Sequence, residues 1–81
     1  MDDKRKTPRM RRLKEGRIYF NGKKSVMNCI VRDASATGAR VTVGEPYLLP
    51  AEFEFVMNGG PARPARKVWV KQNEIGIEFL T

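Results

Sequence analysis

The stretch Asp33-Ala34-Ser35-Ala36-Thr37-Gly38-Ala39-Arg40-Val41-Thr42-Val43 contains a break followed by a strand. Its first six residues are small or polar and interrupt what precedes them. In the remainder, Ala39, Val41 and Val43 fall on one face and Arg40 and Thr42 on the other, the period of two that marks a half-buried strand. Upstream, Ser25 to Arg32 carries Val26, Cys29, Ile30 and Val31 and reads as a strand buried on more than one side. Two strands joined by so short a break are expected to pair antiparallel.

The same alternation continues in both directions. Gly16 to Phe20 is rich in strand formers and ends at Asn21-Gly22, whose residues accept positive φ cheaply and signal a hairpin. Gly44 to Pro50 reads as a loop punctuated by Gly44, Pro46 and Pro50. Its Tyr47-Leu48-Leu49 is too short for an element and is expected to pack over one end of the fold. Glu52 to Asn58 places Phe53 and Phe55 inward against Glu52 and Glu54, and Gly59-Gly60-Pro61 ends it. Ala65 to Gln72 follows, with Arg66, Val68 and Val70 on one face and Lys67, Trp69 and Lys71 on the other. After Asn73, Ile75, Ile77 and Phe79 alternate with Gly76, Glu78 and Leu80. Six short strands without a helical pattern predict an all-β, six-stranded antiparallel barrel, whose closure removes the edges an open sheet would expose.

Composition narrows the function. With 81 residues, 41% hydrophobic, the chain supplies one modest core. No segment approaches the roughly 20 apolar residues of a membrane span, and no apolar stretch follows the charged start, so neither a membrane anchor nor a secretory signal is expected. A single cysteine, Cys29, fits a reducing cytoplasm and reads as a buried filler. There is no histidine, and the acids lack metal-loop spacing, so no metal site, cofactor or enzymatic activity is expected.

The charge is uneven. Sixteen basic against nine acidic residues give +7, and residues 1 to 17 hold +5 of it through Lys4, Arg5, Lys6, Arg9, Arg11, Arg12, Lys14 and Arg17. Having few apolar anchors, residues 1–14 read as a flexible basic arm and residues 15–81 as the barrel. Thr7-Pro8 argues against one straight basic helix. Such an arm can be a solvated tail, a salt-sensitive polyanion binder, or part of a defined anion site. No aromatic residues interleave with its cations as a dedicated single-strand surface would require.

Arg5-Lys6-Thr7-Pro8-Arg9 is followed, after 23 residues, by Asp33-Ala34-Ser35-Ala36-Thr37-Gly38. The pair resembles the signature of the PilZ family, R-x-x-x-R and then D/N-x-S-x-x-G. The similarity continues through Gly38-Ala39-Arg40-Val41, Lys67-Val68-Trp69-Val70 and Ile75-Gly76-Ile77-Glu78-Phe79. It implies a PilZ-type (split) β-barrel that binds the bacterial second messenger cyclic di-GMP, with Arg5, Arg9, Asp33, Ser35 and Gly38 as binding positions. It also implies a cytoplasmic receptor that relays the signal to an unidentified downstream protein in motility, polysaccharide or biofilm control; the arm's loss of freedom on binding, offset by charge-assisted bonds, makes arm ordering the expected switch.

Residue chemistry suits that ligand independently. An arginine fork matches a phosphate or the O6/N7 edge of guanine. Arg5 and Arg9 lie roughly 13 Å apart in an extended chain, and closer if Pro8 bends it. A carboxylate at Asp33 can accept from guanine N1 and N2, which arginine cannot; its plainer role is an Asx turn. Ser35 can bond base or phosphate, or brace the turn. Gly38 allows a backbone conformation or a close approach closed to other residues. Lys4, Arg11, Arg12, Arg40, Arg66, Lys71 and Trp69 are secondary candidates. Arg40 either faces the site or is an exposed strand residue, and Trp69 either packs at the core edge under the arm or offers a stacking surface. The rival functions are a small basic barrel binding RNA or DNA, and a PilZ-type adaptor binding only protein, against which the intact Arg5 and Arg9 argue.

Overall fold

The computed structural model describes residues 14–80. The sequence expectations for Lys4, Arg5, Arg9, Arg11 and Arg12 therefore lie outside the described residues. Six strands follow in order: β1 (Lys14–Phe20), β2 (Ser25–Ala34), β3 (Gly38–Val43), β4 (Glu52–Met57), β5 (Arg63–Lys71) and β6 (Glu74–Phe79). They close into an antiparallel barrel in the order β1-β2-β3-β6-β5-β4, with β4 returning to β1. Four residues, Asn21 to Lys24, connect β1 and β2: Asn21, Gly22 and Lys23 have φ of 54°, 64° and 71°, and Lys24 N donates to the Asn21 carbonyl at 3.1 Å.

One side of each strand fills the interior. Ile18, Val41, Phe55 and Ile75 are the largest fully enclosed side chains, and Phe55 stacks on Phe79 with ring centroids 6.0 Å apart. Each such side chain contributes about 1.5–3 kcal/mol by leaving water. The guanidinium of Arg63 lies 3.9 Å above the Phe79 ring. The linker from β3 to β4 lies at the opposite end of the barrel from the β2–β3 turn. There Pro46 and Leu49 are buried, and Lys67 Nζ donates to the carbonyls of Leu49 at 2.8 Å and Pro46 at 3.4 Å.

Several expectations change. Tyr47 and Leu48 belong to one 3-10 turn, Pro46–Leu48, rather than to an irregular loop. β2 is buried on one side only: Cys29 and Val31 face the core, while Val26 and Ile30 are exposed, because a closed barrel has a single apolar interior. Asp33 does not break β2, which runs on to Ala34.

Two irregularities shift the alternation. Register moves between Val31 and Asp33, with Arg32 as the extra residue, so that Asp33 sits opposite Arg40 instead of following Val31 inward. It moves again between Lys67 and Trp69, with Val68 extra. Ala65 therefore points in before the second bulge and Val70 packs on the core after it, while Arg66 and Trp69 share the outside. This reverses the expected grouping of Arg66 with Val70 and of Trp69 with Lys67.

Candidate functional site

Both bulges act on the same outer face. Asp33 on β2 lies opposite Arg40 on β3, Arg40 opposite Gly76 on β6, and Gly76 opposite Trp69 on β5. These four positions form one row across four strands. The adjoining row toward the β2–β3 turn runs Gly38, Glu78, Arg66. The row on the other side runs Thr42, Glu74, Lys71.

The turn between β2 and β3 is tightly organised. Ser35 N donates to the Gly38 carbonyl at 2.8 Å, and Thr37 N donates to Ser35 Oγ at 3.3 Å. Ser35 Oγ also lies 3.3 Å from Thr37 Oγ1, so in this structure the hydroxyl braces the turn. Phe79 N donates to the Thr37 carbonyl at 2.9 Å and ties the turn to β6. Gly38 does not have a positive φ. Its role is close approach: a Cβ there would collide with the carbonyl oxygen of Ile77.

Asp33 makes no Asx turn, because it remains in the strand. Its Oδ2 accepts from Arg40 Nε at 2.9 Å and from a terminal Arg40 nitrogen at 2.6 Å. The other terminal nitrogen lies 3.6 Å from Glu74. The bond to Asp33 and its negative charge raise the Arg40 pKa further above its ordinary value. Arg66 is similarly engaged, donating through Nε and a terminal nitrogen to Glu78 at 2.8 and 2.7 Å. Lys71 lies opposite Glu74 on the same face. Arg40 and Arg66 are thus already matched with carboxylates, while Arg32, exposed beside Asp33, is in none of these pairs.

Trp69 is exposed on the outside, not packed in the core. Its indole covers Gly76, where a Cβ would collide with the ring. Gly76 leaves room for the ring against the sheet, and Trp69 remains 42% exposed. Glu74 and Glu78 are the participants sequence reasoning missed. No spacing in the chain announces them, since their partners are fixed by strand register. A separate hollow of about 820 Å³ crosses β4, β1, β2 and β3 beside Arg17, Asn28, Ile30, Thr42, Val56 and Asn58, and among the described residues contains none of the predicted site residues. Cys29 is an interior filler, its thiol pushed up to about 11 by burial.

A closed barrel thus carries a braced polar turn beside one outward row of carboxylate, arginine and tryptophan. A family model described as the PilZ domain matches residues 3–81, and the chain belongs to the PilZ family. No curated protein and no solved structure matches it.

Proposed function

We propose that this chain is a cyclic di-GMP receptor whose binding face is the outer surface of β2, β3, β6 and β5 at the Asp33–Gly38 turn. The observation that carries the reading is the bulge at Arg32. It turns Asp33 outward beside the braced Ser35 turn and into one row with Trp69. A guanine edge presents two donors to the carboxylate, and an indole face accepts a planar base. Gly38 holds the turn against β6 so that the backbone there stays low.

Part of the counter-charge on the barrel face is already committed, since Arg40 and Arg66 face Asp33 and Glu78. In this reading Arg5 and Arg9 supply more of it for the two phosphates, with Lys4, Arg11 and Arg12 as secondary contacts. The geometry of the first strand favours this. Lys14 pairs with Val31, two residues from Asp33, so the chain joins the barrel at the end that carries the turn. Arg9 is five residues upstream, a reach of at most about 18 Å. Binding presents an altered surface to a downstream protein, and no bond is made or broken.

Calorimetric titration with cyclic di-GMP, using GTP and a DNA oligomer as controls, tests the assignment. Saturation by the dinucleotide alone is expected. Preference for the DNA, with steep loss in salt, would instead identify a polyanion binder.

A further inference from the structure

We infer that Arg40 is an internal stand-in for a guanine edge: it holds Asp33 in the free protein and passes to Glu74 when the ligand arrives. The inference rests on the cyclic di-GMP reading above and adds to it a residue that sets affinity by competing for the recognition carboxylate.

The chemistry is shared. Guanine N1–H and N2–H sit on the two nitrogens flanking one carbon, which is a guanidine embedded in a ring. Arg40 presents the same pattern, Nε–H and a terminal N–H, to Asp33 at 2.9 and 2.6 Å. A carboxylate cannot receive two such forks in full at once, so arginine and base compete. Both Arg40 donors fall on Oδ2. Oδ1 is left for the first contact of an incoming base, so exchange can begin before the arginine has left.

A second acceptor is already in place. The remaining terminal nitrogen of Arg40 is 3.6 Å from Glu74 Oε1, close enough for an ion pair but long for a hydrogen bond. Glu74 lies two residues from Gly76 on β6, and Gly76 is the residue directly opposite Arg40. Gly76 itself adds no side chain between them, and the ring that lies over it belongs to Trp69. The Asp33 and Arg40 side chains are 67% and 43% exposed, and ion pairs so exposed are weak. The latch is therefore cheap to open, and its release to Glu74 exchanges one ion pair for another.

Two independent measurements test this. In calorimetry, Arg40→Met is expected to tighten cyclic di-GMP binding roughly threefold, the factor an exposed ion pair supports. Glu74→Gln also removes a negative charge from the face, so it is measured with Arg40 present and in the Arg40→Met background. The hand-over predicts that it weakens binding about twofold more when Arg40 is present. In NMR, the Arg40 Nε–H resonance should respond to Asp33→Ala in the free protein and to Glu74→Gln in the cyclic di-GMP complex. Arg40→Met weakening binding as much as Asp33→Ala, equal Glu74→Gln effects in both backgrounds, or a bound-state resonance blind to Glu74 would each overturn the inference while leaving the receptor assignment standing. If the wild-type chain binds no cyclic di-GMP, both fall together.

Discussion

Asp33 and Trp69, separated by 35 residues in the chain, stand at the two ends of one outward-facing row, Asp33–Arg40–Gly76–Trp69, and each is turned to that face by its own β-bulge. Without the extra residue at Arg32, Asp33 would follow Val31 toward the core, where a carboxylate without partners is costly. Without the extra residue at Val68, the alternation through β5 would leave Trp69 on the side of Ala65 and Lys67. Bulges are recurrent devices for re-aiming side chains next to functional sites.

Asp33 should therefore read the base. Asp33→Asn keeps an acceptor and is expected to retain binding. Asp33→Ala should lose roughly 1.5–3 kcal/mol, tenfold or more in affinity. The sharper measurement is the ratio of affinities for cyclic di-GMP and its adenine counterpart, because adenine has no N1 proton to donate. A ratio unchanged in Asp33→Ala would reduce Asp33 to the partner of Arg40.

The barrel was legible in the sequence because alternation is local. Ala39 to Val43, Phe53 with Phe55, and Ile75 to Phe79 each display their inward face within a few residues, and all are found there. The turn was legible because its small residues and Gly38 stand in a fixed order. Phase was not. An extra residue in one strand has no signature in that strand alone, since it is defined by the partner it fails to face. For the same reason Glu74 and Glu78 could not be assigned to Arg40 and Arg66. Their spacing from those arginines depends on how β6 registers against β3 and β5.

Gly38→Ala should destabilise the fold, because the added methyl meets the Ile77 carbonyl, which the paired strands hold in place. A cost on the order of 1–3 kcal/mol is expected. In a domain of this size that lowers Tm by roughly 5–15 °C. Gly44→Ala is the control, since a Cβ there meets nothing within 4 Å and the glycine has no positive φ. Thermal melts of the two variants should separate clearly; equal Tm values would remove close approach as the reason for Gly38.

Trp69 is the only tryptophan, so tryptophan emission, excited selectively over Tyr19 and Tyr47, reports this face alone. Base stacking on the indole should change its emission in proportion to saturation. Trp69→Ala should weaken binding by about 0.5–1.5 kcal/mol, the usual worth of an aromatic pair beyond its area. Gly76→Ala should act similarly from beneath by lifting the ring. Emission that stays constant through a calorimetrically confirmed titration would exclude the indole from the contact.

Cys29 predicts an alkaline weakness. Burial raises its thiol from an ordinary 9.0 to about 11, so the folded state keeps a proton that the unfolded state gives up sooner. The resulting stability is fully present below pH 9 and declines as pH rises toward 11, where it is lost. The full swing is about 2–3 kcal/mol. Urea unfolding at pH 7, 9 and 10.5 should show the decline, and Cys29→Ala, less stable at neutral pH, should show a shallower one. Parallel pH dependence in both proteins would mean that other groups, not this thiol, set the slope.

Arg9 is expected to matter to the ligand and not to the barrel. Arg40 is engaged with Asp33 and near Glu74, and Arg66 with Glu78, so two cations of the binding face are already committed and a dianionic ligand gains from cations elsewhere in the chain. Residues 1 to 13 carry six of the sixteen basic side chains. They precede a strand that starts beside Val31. Losing one charge-assisted contact to phosphate or guanine should cost about 1.5–3 kcal/mol. Arg9→Ala should then bind at least tenfold more weakly with an unchanged Tm, because the buried core among the described residues runs from Ile18 to Phe79. Arg9→Lys should recover only part of the loss, since an ammonium supplies the charge without the planar fork. Calorimetry at two salt concentrations separates fork from charge: the lysine variant should approach the parent's salt dependence while remaining weaker throughout. Full rescue by lysine would show that Arg9 contributes charge alone.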